Sequence, residues 1–143
     1  MRKESCEVGK EKESLIGRAK EEDWIVCTYG LGYLGKKLYE EIPGVFGLKT
    51  NLFSDSDSLK VDAVALEGIK GIHKQELLAF AHPVLVFVLV DDPYDLQIKE
   101  DLSANPNLVI VTLRELAEMD YVKELLYGKD LFEKYLQLET RGA

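Results

Sequence analysis

Trp24-Ile25-Val26-Cys27-Thr28-Tyr29-Gly30-Leu31-Gly32-Tyr33-Leu34-Gly35-Lys36-Lys37-Leu38-Tyr39 decides how the chain is read. An apolar run leads into three glycines, and a helical apolar pattern follows them. The order is that of a buried strand, a tight turn and the start of a helix. Gly30, Gly32 and Gly35 have the G-x-G-x-x-G spacing, in which each glycine has its own task. The first lets the chain turn off the strand. The second, lacking a Cβ, lets a pyrophosphate approach the backbone. The third lets the helix pack close to the sheet. Amides at the helix start then face the phosphates, with the positive end of the helix dipole behind them. Nucleotide contacts are therefore expected from Tyr29, Gly30, Leu31, Gly32, Tyr33, Leu34 and Gly35. Asp55 falls about 20 residues beyond the turn, where a carboxylate holds the ribose of NAD and repels the 2′-phosphate of NADP. Asp57 is the register alternative, and Asp91 ends a later apolar run that reaches the same crevice. The plainer alternative is a strand-turn-helix corner with no ligand, in which Asp55 and Asp57 cap a loop.

Composition narrows the partners. The chain has 143 residues, 46% of them hydrophobic and 31% charged, which suits one soluble domain with a real core. A net charge of −8 argues against a nucleic-acid partner, which needs a basic face. No apolar run approaches the length of a membrane span, and no apolar leader opens the sequence. Cys6 and Cys27 are too few for a disulfide framework or a cysteine zinc site. Cys27 reads as a small core residue, and the protein as cytoplasmic. His73 and His82 lack Cys, Asp or Glu partners at metal-ligand spacing, so no metal is expected.

Along the chain, residues 1–22 read as a charged arm or surface helix, and 23–143 as one domain. The helix after the glycines buries Leu34, Leu38 and Ile42 and ends at Pro43-Gly44. A second strand is expected over 45–53 and a third over 61–66. A helix over 73–81 buries Leu77, Leu78 and Phe80. Val84 to Val90 is apolar on both faces, as a central strand of a parallel sheet must be. Asp92-Pro93 opens the next helix, and Asn105-Pro106-Asn107 turns the chain into a strand over 108–111. Thr112-Leu113-Arg114-Glu115 fits a capping box, and 121–127 and 131–138 read as helices. This alternation predicts an α/β, Rossmann-like three-layer sandwich. It has about four or five mostly parallel strands in an order near 3-2-1-4-5, with helices on both faces. Ligands in such folds bind at the carboxyl ends of the strands.

Gly30 to Lys37 also approaches the P-loop pattern, but Lys37 stands where Ser or Thr would hold magnesium. That loss, together with the acid after the second strand, favours the dinucleotide reading. Lys36 and Lys37 sit where the helix dipole disfavours cations. They read either as anion contacts or as plain solvated lysines. No acidic residue occupies position 28 or 29, which weakens an S-adenosylmethionine reading.

The combination resembles the small Rossmann-like nucleotide-binding domains found with sugar-modifying and surface-polysaccharide enzymes. The resemblance runs over residues 24–112. It rests on the glycine turn, on Phe53-Ser54-Asp55-Ser56-Asp57, on Gln75-Glu76-Leu77-Leu78, and on the helix from Tyr94 to Leu102. It implies an NAD- or nucleotide-sugar-binding fold. The C-terminal helices lie outside it and are available for a homodimer contact. The expected function is a nucleotide-binding module with a binding or sensing role, NAD or another nucleotide being the ligand. One alternative is a minimal oxidoreductase or sugar-nucleotide-modifying subunit that needs a partner chain. Another is an interaction module whose turn is plugged by Tyr29 or Tyr33.

Overall fold

A computed structural model describes residues 2–90, 93–119 and 122–125, with side chains in the first helix described from residue 11 onward. A 20-residue helix α1 (Arg2–Glu21) precedes strand β1 (Ile25–Tyr29). Helices α2 (Tyr33–Leu38) and α3 (Glu41–Val45) lead to β2 (Leu52–Ser54). Then follow α4 (Ser58–Ala63), β3 (Lys70–Gly71), α5 (Lys74–Leu78) and β4 (Val84–Val88). Helix α6 (Tyr94–Leu102), strand β5 (Leu108–Thr112) and α7 (Leu113–Leu116) complete the series. The five strands form one all-parallel sheet in the order β3-β2-β1-β4-β5. The predicted class, order and layering are therefore observed.

Register explains the two-faced core. Leu52, Cys27, Val86 and Ile110 align across four strands and point to one face. That face packs on Leu77 of α5 and Leu102 of α6. One residue along, Phe53, Thr28, Phe87 and Val111 align on the opposite face. There the core takes Ile16 and Ala19 of α1, Leu34 and Leu38 of α2, Ile42 of α3, and Leu113 and Leu116 of α7. Phe53 meets Leu31 and Val61 of α4 in a smaller cluster. Every residue of β4 is buried, as a strand between two others and covered on both faces requires. Cys27 is fully buried, and burial pushes its thiol up to about 12, so it is a core residue without nucleophilic character.

Several expected bounds shift. Of the arm and the surface helix expected over 1–22, the structure has the helix, and α1 docks through Ile16 and Ala19. Leu34, Leu38 and Ile42 are buried as expected, but the helix breaks at Tyr39 and Glu40, before Pro43. Proline has no N–H to return to the carbonyl of residue 39. The Thr50 hydroxyl donates to that carbonyl instead. The second strand is only Leu52–Ser54. Asn51 prepares it by taking the Val26 amide on its side chain at 2.8 Å and donating its own amide to the Val26 carbonyl at 2.8 Å. The third strand is Lys70–Gly71, because the apolar residues from Val61 belong to α4 and the loop after it. In α5, Leu77 is buried while Leu78 and Phe80 are half-buried. The Leu77 carbonyl at its end accepts from Asn105, and the Phe80 carbonyl just beyond it accepts from Asn105 and Asn107, so the Asn-Pro-Asn turn also closes a helix end. Pro93 is the N-cap of α6 rather than its first residue. Asp92, residues 121, 126 and 127, and all of 131–138 lie outside the described residues.

A polar network ties α1, α6 and α7 together. The Thr112 hydroxyl accepts from the Glu115 amide at 3.3 Å, and Glu115 Oε1 accepts from the Thr112 amide at 3.1 Å, the expected capping box. The Glu115 carboxylate also meets Lys99 of α6 at 3.3 Å and Lys12 of α1 at 3.5 Å. Lys12 Nζ donates as well to the Ile110 carbonyl at 2.9 Å. Arg114 holds the buried Asp95 through two bonds of 3.0 Å. Burial raises the Glu115 pKa, but the Thr112 hydrogen bonds and the two lysine charges outweigh it and leave the carboxyl below its ordinary value of 4.5. A depressed carboxyl pKa stabilises the fold fully above the unfolded value, and that stabilisation fades as pH falls through the folded one. Glu115→Gln should therefore cost about 1–2 kcal/mol at pH 7. The gap from the parent should narrow below about pH 4.5 in denaturant unfolding followed by circular dichroism.

Candidate functional site

The site lies where the parallel sheet reverses its winding, between the carboxyl ends of β1 and β4. Strand β1 ends at Tyr29, whose carbonyl accepts from the Leu89 amide at 2.9 Å. The chain then turns at Gly30, with φ of 114°, a conformation that side-chain-bearing residues rarely adopt. A Cβ on Gly30 would lie 2.7 Å from Val90 Cγ1. Gly35 is more constrained still, because a Cβ there would stand 1.9 Å from the Gly30 carbonyl oxygen. Helix α2 is thus seated directly on the turn. Gly32 differs: among the described residues, a Cβ on it would meet nothing within 4 Å, and no side chain caps α2. One glycine bends the chain, one admits close packing, and one leaves open space at the mouth.

Asp55 is brought to this turn. Its Oδ2 accepts from the Leu31 amide at 2.7 Å, and its Oδ1 accepts from the Asp57 amide at 2.8 Å. Asp57 in turn caps α4 by accepting from the Leu59 amide at 3.0 Å. The structure therefore joins the glycine turn and the acidic loop across 24 positions of sequence. It also gives both aspartates the local capping work that the ligand-free alternative expects of them. Asp91 lies outside the described residues.

The other expected contacts separate. Leu31 and Leu34 are buried and hold the turn to the sheet rather than lining its mouth. Tyr29 points to the α5 and α6 face, where its hydroxyl shares a 2.7 Å hydrogen bond with Ser56 Oγ. Burial pushes its phenol above the ordinary value, so it is neutral near pH 7. Tyr33 is exposed, and Lys37 Nζ lies 5.9 Å from its ring centre. Tyr29, expected as one plug of the turn, thus packs elsewhere. Beside it, Ser54 Oγ is fully buried without a hydrogen-bond partner among the described residues. Ser56 was not foreseen as a partner of Tyr29; the one available signal was its place in the polar loop ending β2. No group of His, Cys, Asp or Glu able to hold a metal occurs among the described residues. None of the described helices is long and apolar enough to cross a membrane.

Comparison with protein-family models, curated proteins and solved structures returns no match.

The three glycines should respond differently to one methyl group. Gly32→Ala, at φ of −80° and facing open space, should change stability by about 1 kcal/mol or less. Gly35→Ala collides with backbone and should cost more than about 3 kcal/mol or prevent folding. Thermal unfolding of the two variants beside the parent measures the contrast.

Proposed function

We propose that this chain is a small Rossmann-like nucleotide-binding module with a binding or sensing role. NAD or another nucleotide is the ligand, held at the carboxyl edge of the sheet. The observation that carries the proposal is the division of labour among Gly30, Gly32 and Gly35. Two of them are required by the backbone, whereas a Cβ on Gly32 would meet none of the described residues within 4 Å. A corner serving packing alone needs glycine at the first and third positions and gains nothing from it at the second, since Gly within structure costs conformational entropy. A phosphate approaching backbone amides does need the second.

The Asp55 carboxylate, fixed 2.7 Å from the Leu31 amide, supplies the second element. It stands at the end of the strand next to β1, where a ribose attached to a turn-bound phosphate would lie. A negative charge there favours a free 2′-hydroxyl over a 2′-phosphate, hence NAD over NADP. The buried, unreactive thiol of Cys27 fits a reducing cytoplasmic setting.

Titration of the protein with NAD, NADP, a nucleotide sugar and S-adenosylmethionine, followed by two-dimensional NMR, tests the reading. Saturable shifts at residues 30–35 with NAD are expected, weaker with NADP. Gly32→Val should keep the fold and lose binding at least about tenfold, because its side chain fills the space the phosphate needs. No shift with any of the four ligands, or full binding by Gly32→Val, overturns it.

A further inference from the structure

Three consecutive residues at the end of β2 hold three consecutive residues of the glycine turn. The Ser54 carbonyl accepts from the Gly30 amide at 2.9 Å. Asp55 Oδ2 accepts from the Leu31 amide at 2.7 Å. Ser56 Oγ shares a 2.7 Å hydrogen bond with the Tyr29 hydroxyl. The first two bonds take backbone donors of the turn. The third joins two side chains, so it exists only because these two residues were chosen.

The loop straddles the end of β1. Leu31, held by Asp55, packs with Phe53 and Val61 on one face of the sheet. Tyr29, held to Ser56, packs on the other face, under α5 and α6. The two anchors differ in firmness. Asp55 is half-buried, so water competes for the amides it accepts from. The Tyr29 ring is 1% exposed and closely packed, which makes its hydroxyl a fixed point of the sheet. Ser56 is exposed, so burial does not account for its inward bond.

A carboxylate that receives ribose hydroxyls and turns away a 2′-phosphate must keep its direction. Each oxygen of Asp55 accepts one backbone amide and keeps a further acceptor position for the ligand. Resting on the nucleotide reading above, we infer that Ser56 and Tyr29 are positioning residues that aim Asp55 at the ribose and thereby set the preference for NAD over NADP. Neither side chain touches the ligand. Tyr29 serves the site from behind the carboxylate, through its hydroxyl. When the bond is lost, the loop is tied to β1 on one face only. Asp55 then spends less of its time toward the ribose and repels a 2′-phosphate less.

The experiment titrates the full chain with NAD and with NADP by two-dimensional NMR and takes the ratio of the two dissociation constants. It does so for the parent, Ser56→Ala, Tyr29→Phe, the double variant and Ser56→Thr. A general loosening of the fold weakens both ligands alike and leaves the ratio where it was. The parent should prefer NAD. Ser56→Ala and Tyr29→Phe should each shrink that preference about fivefold, the worth of one neutral hydrogen bond. The double variant should shrink it no further, because all three remove the same bond. Ser56→Thr keeps the hydroxyl and should keep the preference. Position 56 is exposed, so its variants should fold as the parent does. If the parent prefers NAD and Ser56→Ala retains the whole preference, the positioning role is overturned while the nucleotide reading stands. The same holds if Ser56→Thr loses as much as Ser56→Ala, or if the parent binds both dinucleotides equally. If the parent binds neither, the nucleotide reading fails and this inference with it.

Discussion

The close approach of α2 to the end of β1 governs this fold. The Gly30 carbonyl oxygen lies 1.9 Å from where any Cβ of residue 35 would be. Only a residue without a side chain lets the helix rest there, and only then do Leu34, Leu38 and Ile42 reach the sheet. Those three residues cover the face formed by Thr28 and Phe87. A helix lifted by one methyl group would open a gap under all of them, and packed interiors tolerate such gaps poorly. The same contact fixes the direction of the Leu31 amide and so the position of Asp55.

On the other side of the switch point, order is kept by charge. Asp95 lies in the first turn of α6 and is buried, which is costly for a carboxylate without partners. Arg114 meets it with two parallel bonds, the geometry for which a guanidinium is suited. Glu115, the next residue, joins Lys99 and Lys12. Two adjacent residues of α7 therefore hold α6 and α1 at once. The glycine side of the crevice is set by the absence of side chains and the opposite side by a buried salt-bridge network.

What could be read from the sequence follows from how local its cause is. The glycine spacing, the buried run at 84–88 and the Thr112–Glu115 cap are each determined within a few neighbouring residues, and all three are observed. The strand order followed from alternation and crossover handedness. Strands β2 and β3 were misplaced because they are short and lie toward an edge of the sheet. Asn51 begins β2 through a side-chain bond to Val26, which apolar periodicity does not register. Val61 looked like a strand residue because it is apolar; its true partners, Leu31 and Phe53, are distant in sequence. The docking of α1 was not foreseen for a similar reason: among its described side chains the buried ones are Ile16 and Ala19, too narrow a stripe to stand out among charges. At the site, Asp55 was legible from its offset, whereas its bond to Leu31 depends on the tertiary structure.

Lys12 has a bearing on association as well as on folding. Among the described residues strand β5 ends the order of the sheet, and an outer strand offers its carbonyls to any extended chain that approaches. Here one of them, that of Ile110, is already occupied by an ammonium group. The helix that carries this ammonium lies against α7, immediately after the strand. A protease that removed the leading helix would thus uncover a hydrogen-bonding template, and the trimmed protein would be prone to stack strand on strand with its neighbours.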